Sequence, residues 1–437
     1  MHGDTIAAIA TARGRGGIAV VRVSGPDAFA VAMTVAGVKG SERRFEFAVF
    51  RDCAESSGGN PIDSGIVLCF KGPQSYTGED VVEFQCHGGE VVPRRILSAC
   101  IAAGARMAQR GEFTRRAFLN GKIGYSEAEA VLDLIDAKTS RAADSAYARL
   151  CGKKRIECRE LYERALEISA KLEHALDVDE GELPASFATE AVEAVDGFRS
   201  SLRSAVIAAK EGRILRNGAL VVLSGPPNVG KSSLMNALLE SNRAIVSDVP
   251  GTTRDFIEEW LDIGGWPVKL VDTAGIREAE DKVEAEGVKR TLDLAARADV
   301  VLSLSEASFQ GEVPANGIAV ATKCDLAAVP CDNGAIAVSA LTGEGLERLK
   351  SAIAQKLAAI AASDDFGDSA ADLPGSELEE ALAMMDGIFR CDGLSTDDPV
   401  LLANAMRLVA CKLGEILGEV YSNDLLDRLF ERFCVGK

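Results

Sequence analysis

The spacing of hydrophobic and polar positions divides the chain into segments of different period. From residue 4 to about 120, short apolar runs such as IAVVRVSG and EDVVEFQC alternate with glycine-rich breaks. Runs of this length and composition predict strands, and SGIVLCF followed by KGPQSYTG and EDVVEFQC predicts a hairpin with a long loop. VVPRRILSACIAAG, in contrast, has the character of a helix. We therefore expect a mixed α/β domain over residues 1–120.

Helical periodicity begins at about residue 121. One face of a predicted helix carries apolar residues at helical spacing, namely Leu161, Ala165, Ile168, Leu172 and Ala175. Such a stripe is typical of a helix that packs one side against a core. Residues 121–215 are therefore predicted to form several long helices.

Strands and helices alternate between about residues 218 and 358. Short apolar runs such as ALVVLSG, VKLVDTAG, DVVLSLS and GIAVATK predict buried strands, and SLMNALLE predicts a helix after the first of them. This alternation is typical of a parallel sheet that is covered by helices on both faces. We expect this second α/β domain to extend over residues 216–360.

The character of the chain changes again after Lys356. Eight acidic residues occur between Asp364 and Asp386 without an accompanying Lys or Arg, which predicts an exposed linker or a solvated helix face. Nearer the C-terminus, LLANAMRLVACKLGEIL has a helical pattern. Because helical segments flank the second α/β unit on both sides, we expect one helical domain, 121–215 with 361–437, into which that unit is inserted.

Composition narrows the classes of function. A length of 437 residues suggests two to four domains, because single cores rarely grow past about 250–300 residues. The net charge of −18 argues against a protein that is held to nucleic acid by bulk electrostatics, although a local basic patch is possible.

The 11 cysteines show no CxxC spacing and indicate neither a disulfide framework nor a structural zinc site. Without a signal-peptide pattern or a long apolar run, we expect a cytoplasmic protein that does not span a membrane.

A glycine-rich stretch lies between a predicted strand and a predicted helix. Gly225, Gly230, Lys231 and Ser232 match the phosphate-binding loop pattern GxxxxGKS. In such a loop, backbone N–H groups surround the phosphates, the lysine reaches the β and γ oxygens, and the serine ligates Mg²⁺. A glycine turn in front of a core helix would explain this pattern alone, but not the motifs that follow it.

Two later motifs predict the remaining parts of a nucleoside-triphosphatase site. In the loop GTTRD, Thr253 is expected to close over the γ-phosphate as a second Mg²⁺ ligand. DTAG ends an apolar strand, where Asp272 can hold the metal through water and the Gly275 N–H can sense the γ-phosphate. Ile276 stands where Ras-type GTPases have the glutamine that orients water, so catalysis must come from another side chain, an ion or a partner.

A further motif, TKCD, predicts which base is bound. The Asp325 carboxylate can accept hydrogen bonds from N1–H and N2–H₂ of guanine, a pair of donors that adenine lacks. Ser339-Ala340-Leu341 would offer a backbone N–H to guanine O6, so the predicted nucleotide is GTP. Thr322 departs from the usual Asn-Lys-x-Asp motif. Because threonine lacks the amide that braces the phosphate-binding loop, we expect a loss on the order of 1 kcal/mol in binding, with specificity retained.

Motifs along the whole chain resemble those of the MnmE (TrmE) tRNA-modification GTPases. They are DTIAAIATARGRGGIAVVRVSG, SYTGEDVVEFQCHGG, GEFTRRAFLNGK, GPPNVGKSS, GTTRD, DTAGIRE and the terminal FCVGK, in the order of the family from Asp4 to Lys437. The resemblance implies a homodimer of three-domain subunits. Each subunit would have an N-terminal α/β domain that binds tetrahydrofolate, a helical domain, and an inserted Ras-like P-loop GTPase domain with a mostly parallel sheet.

The same resemblance implies a reaction, cofactors and partners. The family works with the flavoprotein MnmG (GidA) to modify carbon 5 of the wobble uridine in certain tRNAs, forming an aminomethyl or carboxymethylaminomethyl group. The one-carbon unit would come from 5-formyl- or 5,10-methylene-tetrahydrofolate, and the GTPase would use GTP, Mg²⁺ and K⁺. The tRNA is expected to bind through the complex of the two proteins.

Carried over by position, the resemblance assigns the nucleotide site. The residues implied for GTP are Asn228, Val229, Gly230, Lys231, Ser232, Ser233, Ser247, Asp248, Val249, Pro250, Gly251, Thr252, Thr253, Asp272, Thr273, Ala274, Gly275, Thr322, Lys323, Asp325, Ser339, Ala340 and Leu341. The implied metal ligands are Ser232 and Thr253 for magnesium, and Asn228, Ser247, Val249 and Thr252 for potassium. The implied catalytic residues are Lys231, Thr252, Glu284 and Cys434. Glu284 would orient the attacking water, and from its charged surroundings alone a surface carboxylate is the alternative.

Four further positions match the folate site of the family: Arg22, Glu83, Lys122 and Lys437. A carboxylate such as Glu83 can bind the amide and amine edge of a pterin ring bidentately, and Arg22 or Lys122 could meet the glutamate tail or a ring carbonyl. Glu83 and Arg22 alternate with apolar neighbours, so outward, solvated side chains are the alternative that spacing favours. For Cys434, which matches a position near this site, a buried packing cysteine is the alternative.

Two other classes of function stay open on the sequence alone. A ribosome-assembly GTPase that acts as a binding switch shares loops such as GPPNVGKSS, but typically carries a second GTPase domain or a small RNA-binding domain, neither of which we recognise here. A folate-dependent one-carbon transferase with a regulatory GTPase differs from the leading hypothesis mainly in which chain carries out the chemistry.

Overall fold

The computed structural model divides into two compact units, Met1–Leu132 with Glu419–Lys437, and Asp133–Gly418. The residues that it describes are 3–39, 44–52, 59–176, 186–241, 258–272, 297–306, 313–326, 334–362, 376–389, 399–417, 430 and 432–437. The four predicted domain ranges stay predictions. None of the helices within the described ranges is long and apolar enough to cross a bilayer.

A mixed sheet forms the centre of the first unit. Its strands are β1 (Ile6–Ile9), β2 (Ile18–Ser24), β3 (Arg44–Arg51), β4 (Pro61–Phe70), β5 (Val81–His87) and β6 (Arg106–Met107). They lie in the order β3-β4-β5-β2-β1-β6, and all neighbours are antiparallel except β1 and β6. The predicted hairpin is confirmed, since β4 and β5 pair from Ile66 opposite Gln85 to Phe70 opposite Val81.

Two helices, α1 (Ala28–Ala36) and α2 (Val91–Ala102), pack on one face of this sheet. The second of them confirms the helix predicted for VVPRRILSACIAAG. The shared core includes Val21 of β2 and Phe84 of β5, so the residues next to them in sequence point to the opposite face. There a smaller apolar cluster includes Phe113, from α3 (Glu112–Leu119). The next helix, α4 (Tyr125–Asp136), leads into the second unit.

A second sheet lies in the second unit. Its strands are β7 (Ala219–Ser224), β8 (Glu258–Ile263), β9 (Trp266–Asp272), β10 (Val300–Glu306), β11 (Gly317–Thr322) and β12 (Ile336–Ala337). They lie in the order β12-β11-β10-β7-β9-β8, and within this sheet every pair is parallel except β8 with β9. The helices α8 (Lys231–Ser241) and α9 (Leu346–Ala362) share its core. The predicted, mostly parallel sheet is confirmed.

Long helices form a separate core in the second unit. Among the described residues of this unit, the helices besides α8 and α9 are α5 (Ser140–Leu150), α6 (Lys153–Leu176), α7 (Phe187–Asn217), α10 (Ser376–Phe389) and α11 (Pro399–Leu417). The predicted stripe on α6 is buried at all its positions, Leu161, Ala165, Ile168, Leu172 and Ala175. Apolar residues of α6 and α7, which precede the second sheet in sequence, pack with those of α10 and α11, which follow it.

The prediction of a solvated acidic segment is wrong for two acidic residues of α10, whereas Glu380 of the same helix is exposed. Glu379 and Asp386 are buried there. Arg199 of α7 donates from Nε to Asp386 Oδ1 at 2.7 Å, and Arg213 lies 4.0 Å from Glu379. These acids pack inward because arginines from a helix distant in sequence supply the opposite charge.

Candidate functional site

The phosphate-binding loop connects β7, which ends at Ser224, to α8, which begins at Lys231. Gly225 lies so close to β10 that a Cβ atom there would come within 2.7 Å of the Leu304 carbonyl oxygen, so this approach requires glycine. Lys231 is buried, and its Nζ donates to the carbonyl oxygens of Gly225 and Pro226, at 2.9 Å each. The backbone of the loop therefore holds the Lys231 ammonium group inside it, which is where a phosphate-binding lysine has to lie.

Two oxygen donors of the predicted magnesium site lie next to each other. Asp272 is the last residue of β9 and is buried, and Ser232 follows Lys231 in the first turn of α8. The Ser232 hydroxyl donates to Asp272 Oδ2 at 2.6 Å. A hydroxyl and a carboxylate are hard oxygen ligands of the kind that Mg²⁺ prefers, so the pair fits that metal. Within the described ranges, no group of three His, Cys, Asp or Glu side chains could hold a metal ion.

Thr322 does brace the phosphate-binding loop, so the prediction that this contact is lost is wrong. Its hydroxyl is buried, donates to the Val229 carbonyl oxygen at 2.6 Å, and lies 3.2 Å from the Ser305 carbonyl oxygen. Lys323 adds a second contact, because its Nζ donates to the Asn228 carbonyl oxygen at 2.9 Å. The end of β11 lies close enough to the loop for a short side chain to reach it.

Replacing Thr322 by valine keeps the shape of the side chain and removes only the hydroxyl donor. Since this leaves the Val229 carbonyl oxygen without its partner, we expect the affinity for GDP to fall about fivefold to tenfold, or about 1–1.4 kcal/mol. Equilibrium titration with a fluorescent GDP analogue measures the change. Thr34→Val, at an exposed position of α1, is the matched control. Equal affinity of Thr322→Val and wild type would show that the hydroxyl does not support the loop.

The predicted base-reading residues follow β11 and β12. The Ser339 hydroxyl donates to Asp325 Oδ1 at 2.6 Å, and it accepts from the N–H groups of Leu341 and Thr342 at 3.2 Å each. Lys323 has left-handed backbone with a φ of 60°, which turns the chain at the end of the strand. The structure therefore brings the Asp325 carboxylate and the Ser339–Leu341 segment together.

The remaining predicted residues of the nucleotide site divide into two groups. Val229, Gly230 and Ser233 lie in the loop and the first turn of α8, and Asn228 is exposed with a left-handed φ of 61°. The second group lies outside the described residues and consists of Ser247, Asp248, Val249, Pro250, Gly251, Thr252, Thr253, Thr273, Ala274, Gly275, Ile276 and Glu284.

A second candidate site lies on the first sheet, on the face that α1 and α2 leave uncovered. Arg22 of β2 and Glu83 of β5 are cross-strand partners, and Arg22 Nε donates to Glu83 Oε1 at 2.8 Å. Both side chains are only 17% exposed. The Arg22 guanidinium lies over the rings of Tyr76 and Phe113, at 5.4 and 5.7 Å from their centroids. The alternative of outward, solvated side chains is therefore wrong.

Lys437 lies near the Arg22–Glu83 pair, whereas no described contact joins Lys122 to it. Burial, followed by the charge of Arg22, lowers the pKa of Lys437, and the charge of Glu83 opposes this effect. Lys122 is exposed, and its Nζ donates to the Pro73 carbonyl oxygen at 2.9 Å. The structure thus pairs Arg22 with Glu83 from the set implied for folate, and Lys437 follows Gly436, whose backbone packs against Ile9 of β1, the neighbour of β2.

Cys434 is exposed, so the alternative of a buried packing cysteine is wrong. The backbone of the segment that carries it is tied to the first unit. The Gly111 N–H donates to the Cys434 carbonyl oxygen at 3.4 Å, and Arg110 forms an antiparallel bridge with Val435. These contacts keep the C-terminal residues, including Lys437, beside the start of α3.

Sequence reasoning missed an ion-pair network near this cluster. Arg116 of α3 is buried, and its guanidinium lies 2.8 Å from Asp4, 3.0 Å from Glu79 and 3.1 Å from Glu112. Glu79 also accepts from the Ser24 hydroxyl at 2.8 Å, so the network ties the end of β2 and the loop before β5 to α3. Arg116 lies in the motif GEFTRRAFLNGK, but nothing in that motif distinguishes a buried arginine from a surface one.

Comparisons with known proteins agree with the motifs. Residues 5–122 match the family described as GTP-binding protein TrmE N-terminus, and residues 125–434 match the MnmE helical domain. The tRNA modification GTPase MnmE of Symbiobacterium thermophilum is 41% identical over 465 residues, which cover 100% of both chains. The protein of the same name from Alkalilimnicola ehrlichii is 40% identical over 463 residues, again covering 100% of both chains.

The solved structures with some likeness to the chain include the G domain of the T. maritima FeoB iron transporter. It is 27% identical, covers 32% of this chain and 98% of its own, and has a TM-score of 0.24. A likeness this weak carries no argument. The assignment of a family rests instead on the two domain matches and on the full-length relatives.

Proposed function

We infer the function of this chain from one premise: it belongs to the MnmE (TrmE) family of tRNA modification GTPases. It is accordingly a GTP hydrolase that acts in tRNA modification. We propose that it works as a homodimer with the flavoprotein MnmG (GidA) and builds an aminomethyl or carboxymethylaminomethyl group at carbon 5 of the wobble uridine. In this proposal, tetrahydrofolate supplies the one-carbon unit.

The cluster of Arg22, Glu83 and Lys437 is the observation that carries the folate part of the proposal. An ion pair with so little exposure has lost much of its hydration, and hydrophobic residues in place of such pairs are often at least as stable. A carboxylate can accept two parallel N–H donors from one edge of a heterocycle, as a pterin ring offers. Glu83 would therefore hold the ring, and Arg22, Lys122 and Lys437 are the cations for its carbonyl or for the glutamate tail. Cys434 is the nucleophile proposed for this site.

In the nucleotide site, we assign Mg²⁺ to Ser232 and Thr253, with Asp272 as a ligand through water, and the β and γ oxygens to Lys231. Bound Mg²⁺ would neutralise charge on the phosphates. We assign K⁺ to Asn228 and the loop 247–252, where it would supply the positive charge that an arginine supplies in other GTPases. Support for the potassium assignment comes from Ile276, which cannot orient the attacking water as a glutamine does. We propose that Glu284 orients this water instead.

Potassium should accelerate GTP hydrolysis by this chain. We expect steady-state hydrolysis in potassium chloride to be on the order of tenfold faster than in sodium chloride at equal ionic strength, which corresponds to a barrier lower by about 1.4 kcal/mol. Equal ionic strength removes general screening as an explanation. Asn228→Ala should abolish the difference between the two salts. Equal, slow rates of the wild-type chain in both salts would contradict the potassium site.

Replacing Glu83 by glutamine should weaken the binding of 5-formyltetrahydrofolate about tenfold to a hundredfold, because a hydrogen bond to a charged group contributes about 1.5–3 kcal/mol. Isothermal titration calorimetry measures the affinity, and thermal unfolding checks that the variant is folded. Glu46→Gln, at an exposed position of β3 in the same sheet, is the matched control.

The same variant tests the role of folate in the reaction. In a strain whose own gene for this protein is deleted, mass analysis of the wobble uridine should show the modified base with the wild-type chain and with Glu46→Gln, and little of it with Glu83→Gln. Full modification by a Glu83→Gln chain that no longer binds folate would contradict the proposed source of the one-carbon unit.

A further inference from the structure

Thr139, the residue before α5, contacts the turn between β8 and β9. Its hydroxyl accepts from the Ala142 N–H at 3.1 Å, which caps the helix, and donates to the Gly265 carbonyl oxygen at 2.9 Å. Thr139 is buried, so neither hydrogen bond is replaced by water. One hydroxyl group therefore ties the first turn of α5 to the turn of this hairpin.

Arg141 holds the same turn from α5. Its guanidinium lies over the ring of Trp266, 4.1 Å from the centroid, and its Nη2 is 3.2 Å from Glu211 Oε2 on α7. Trp266, the first residue of β9, is 2% exposed. Gly265 has a φ of +86°, and a Cβ atom there would lie 3.2 Å from Arg141 Cδ. The turn is thus in close contact with the arginine stem and cannot move toward α5.

Both strands of this hairpin lead to the nucleotide site. β8 follows residues 242–257 in sequence, which contain GTTRD, and β9 ends at Asp272, whose carboxylate accepts from the Ser232 hydroxyl. The chain from Gly265 to Asp272 spans about 20 Å when extended. β9 pairs with β8 from Trp266 to Val271 and with β7 from Val268 to Asp272, so the residues next to the turn are held by β8 alone on the sheet side. The turn and Asp272 are the two ends of one hydrogen-bonded strand.

We propose that Thr139 and Arg141 are positioning residues for GTP hydrolysis: they fix the β8–β9 turn so that Asp272 stays in place beside Ser232. The start of α5 thereby sets the position of Asp272 in the magnesium site from the opposite end of β9. This inference rests on the magnesium role that is proposed above for Ser232 and Asp272.

Intrinsic fluorescence of the full chain tests whether the turn has loosened. The chain has 2 tryptophans, Trp260 and Trp266, and both lie on this hairpin. Thr139→Val removes the hydroxyl, Thr139→Ser retains it, and Arg141→Lys keeps the charge but loses the planar group that stacks on the ring. We expect acrylamide to quench Thr139→Val and Arg141→Lys more strongly than the wild type or Thr139→Ser.

The magnesium requirement tests the positioning role. In Thr139→Val, the Mg²⁺ concentration for half-maximal hydrolysis should rise about fivefold, the effect of one lost hydrogen bond, while GDP affinity in EDTA stays unchanged. Arg141→Lys should act in the same direction, and Thr139→Ser should restore the wild-type requirement. A Mg²⁺ requirement like the wild type in both Thr139→Val and Arg141→Lys would overturn the inference.

Two further variants distinguish a loss of positioning from a general loss of stability and from a wrong magnesium assignment. Leu202→Ala weakens the helical core without contacting the hairpin, so an equal rise there would assign the effect to stability and overturn the inference. Asp272→Asn should itself raise the Mg²⁺ requirement. If it does and Thr139→Val does not, only the positioning role fails. If Asp272→Asn has a wild-type requirement, the magnesium assignment fails, and the positioning role fails with it.

Discussion

Replacement of Lys231 by alanine should lower the rate of GTP hydrolysis by about 10²–10³-fold, the range seen when one donor that stabilises developing charge is removed from an enzyme. The Lys231 Nζ lies 2.9 Å from the carbonyl oxygens of Gly225 and Pro226, inside the loop. A cation shielded from water attracts phosphate oxygens more strongly than one at the surface. Single-turnover phosphate release at saturating GTP measures the rate separately from any loss of affinity.

Lys350 offers a matched control for this variant. It is also a buried lysine of the second unit, but its Nζ pairs with Glu347 on α9 instead of with the phosphate-binding loop. Lys350→Ala should hydrolyse GTP at nearly the wild-type rate at temperatures where it is folded. A Lys231→Ala chain that is folded and hydrolyses GTP within about threefold of the wild-type rate would contradict the assignment of this lysine to the phosphates.

The secondary structure was largely predictable because most elements bury one face. The α6 stripe from Leu161 to Ala175 repeats with the helical period and is buried along its whole length. The strands β7, β9, β10 and β11 of the second sheet are short apolar runs, which favours a buried parallel arrangement. The antiparallel strand β8 has the sequence EEWLDI, and its acidic residues hide it from this pattern. The phosphate-binding loop was predictable for a related reason, since Gly225 is needed where the backbone approaches Leu304 and Gly230 has a φ of +96°.

Contacts between distant segments were not predictable from local pattern. Arg22 and Glu83 have the alternation of solvated strand residues, but they pair with each other, and Tyr76 and Phe113, from other parts of the chain, pack on Arg22. Likewise, Asp386 pairs with Arg199, 187 residues earlier in the sequence.

Thr322 shows a related limit of motif reasoning. Comparison with the usual Asn-Lys-x-Asp motif identifies the missing amide, but not that the loop lies within 2.6 Å of a threonine hydroxyl. A motif records which residue types usually make a contact, whereas the contact itself depends on the distance between two backbones. The Thr139–Gly265 hydrogen bond has no motif at all, because neither residue is unusual for a helix cap or a turn.

Asp325→Asn should change the nucleotide specificity from guanine to xanthine. Guanine offers donors at N1 and N2, which a carboxylate accepts, whereas xanthine has a carbonyl oxygen in place of the N2 amine. In the wild-type chain the Ser339 hydroxyl donates to Asp325 Oδ1 at 2.6 Å. An asparagine should keep its amide oxygen toward Ser339, which leaves its NH₂ group to donate to the xanthine carbonyl. We expect GTP affinity to fall by about 10²-fold or more, and XTP affinity to rise correspondingly.

The decisive quantity is the ratio of the two affinities, because a damaged site would lose both nucleotides. Competition of GTP and XTP against a fluorescent analogue gives this ratio directly for each variant. Asp144→Asn, the same change at an exposed position of α5, should retain the guanine preference. Ser339→Ala combined with Asp325→Asn should weaken the preference for xanthine, since without the hydroxyl the amide is free to rotate and present its oxygen to the carbonyl of the base. An unchanged guanine preference in Asp325→Asn would mean that the base is read elsewhere, and that Ser339 serves only to hold the turn after β12.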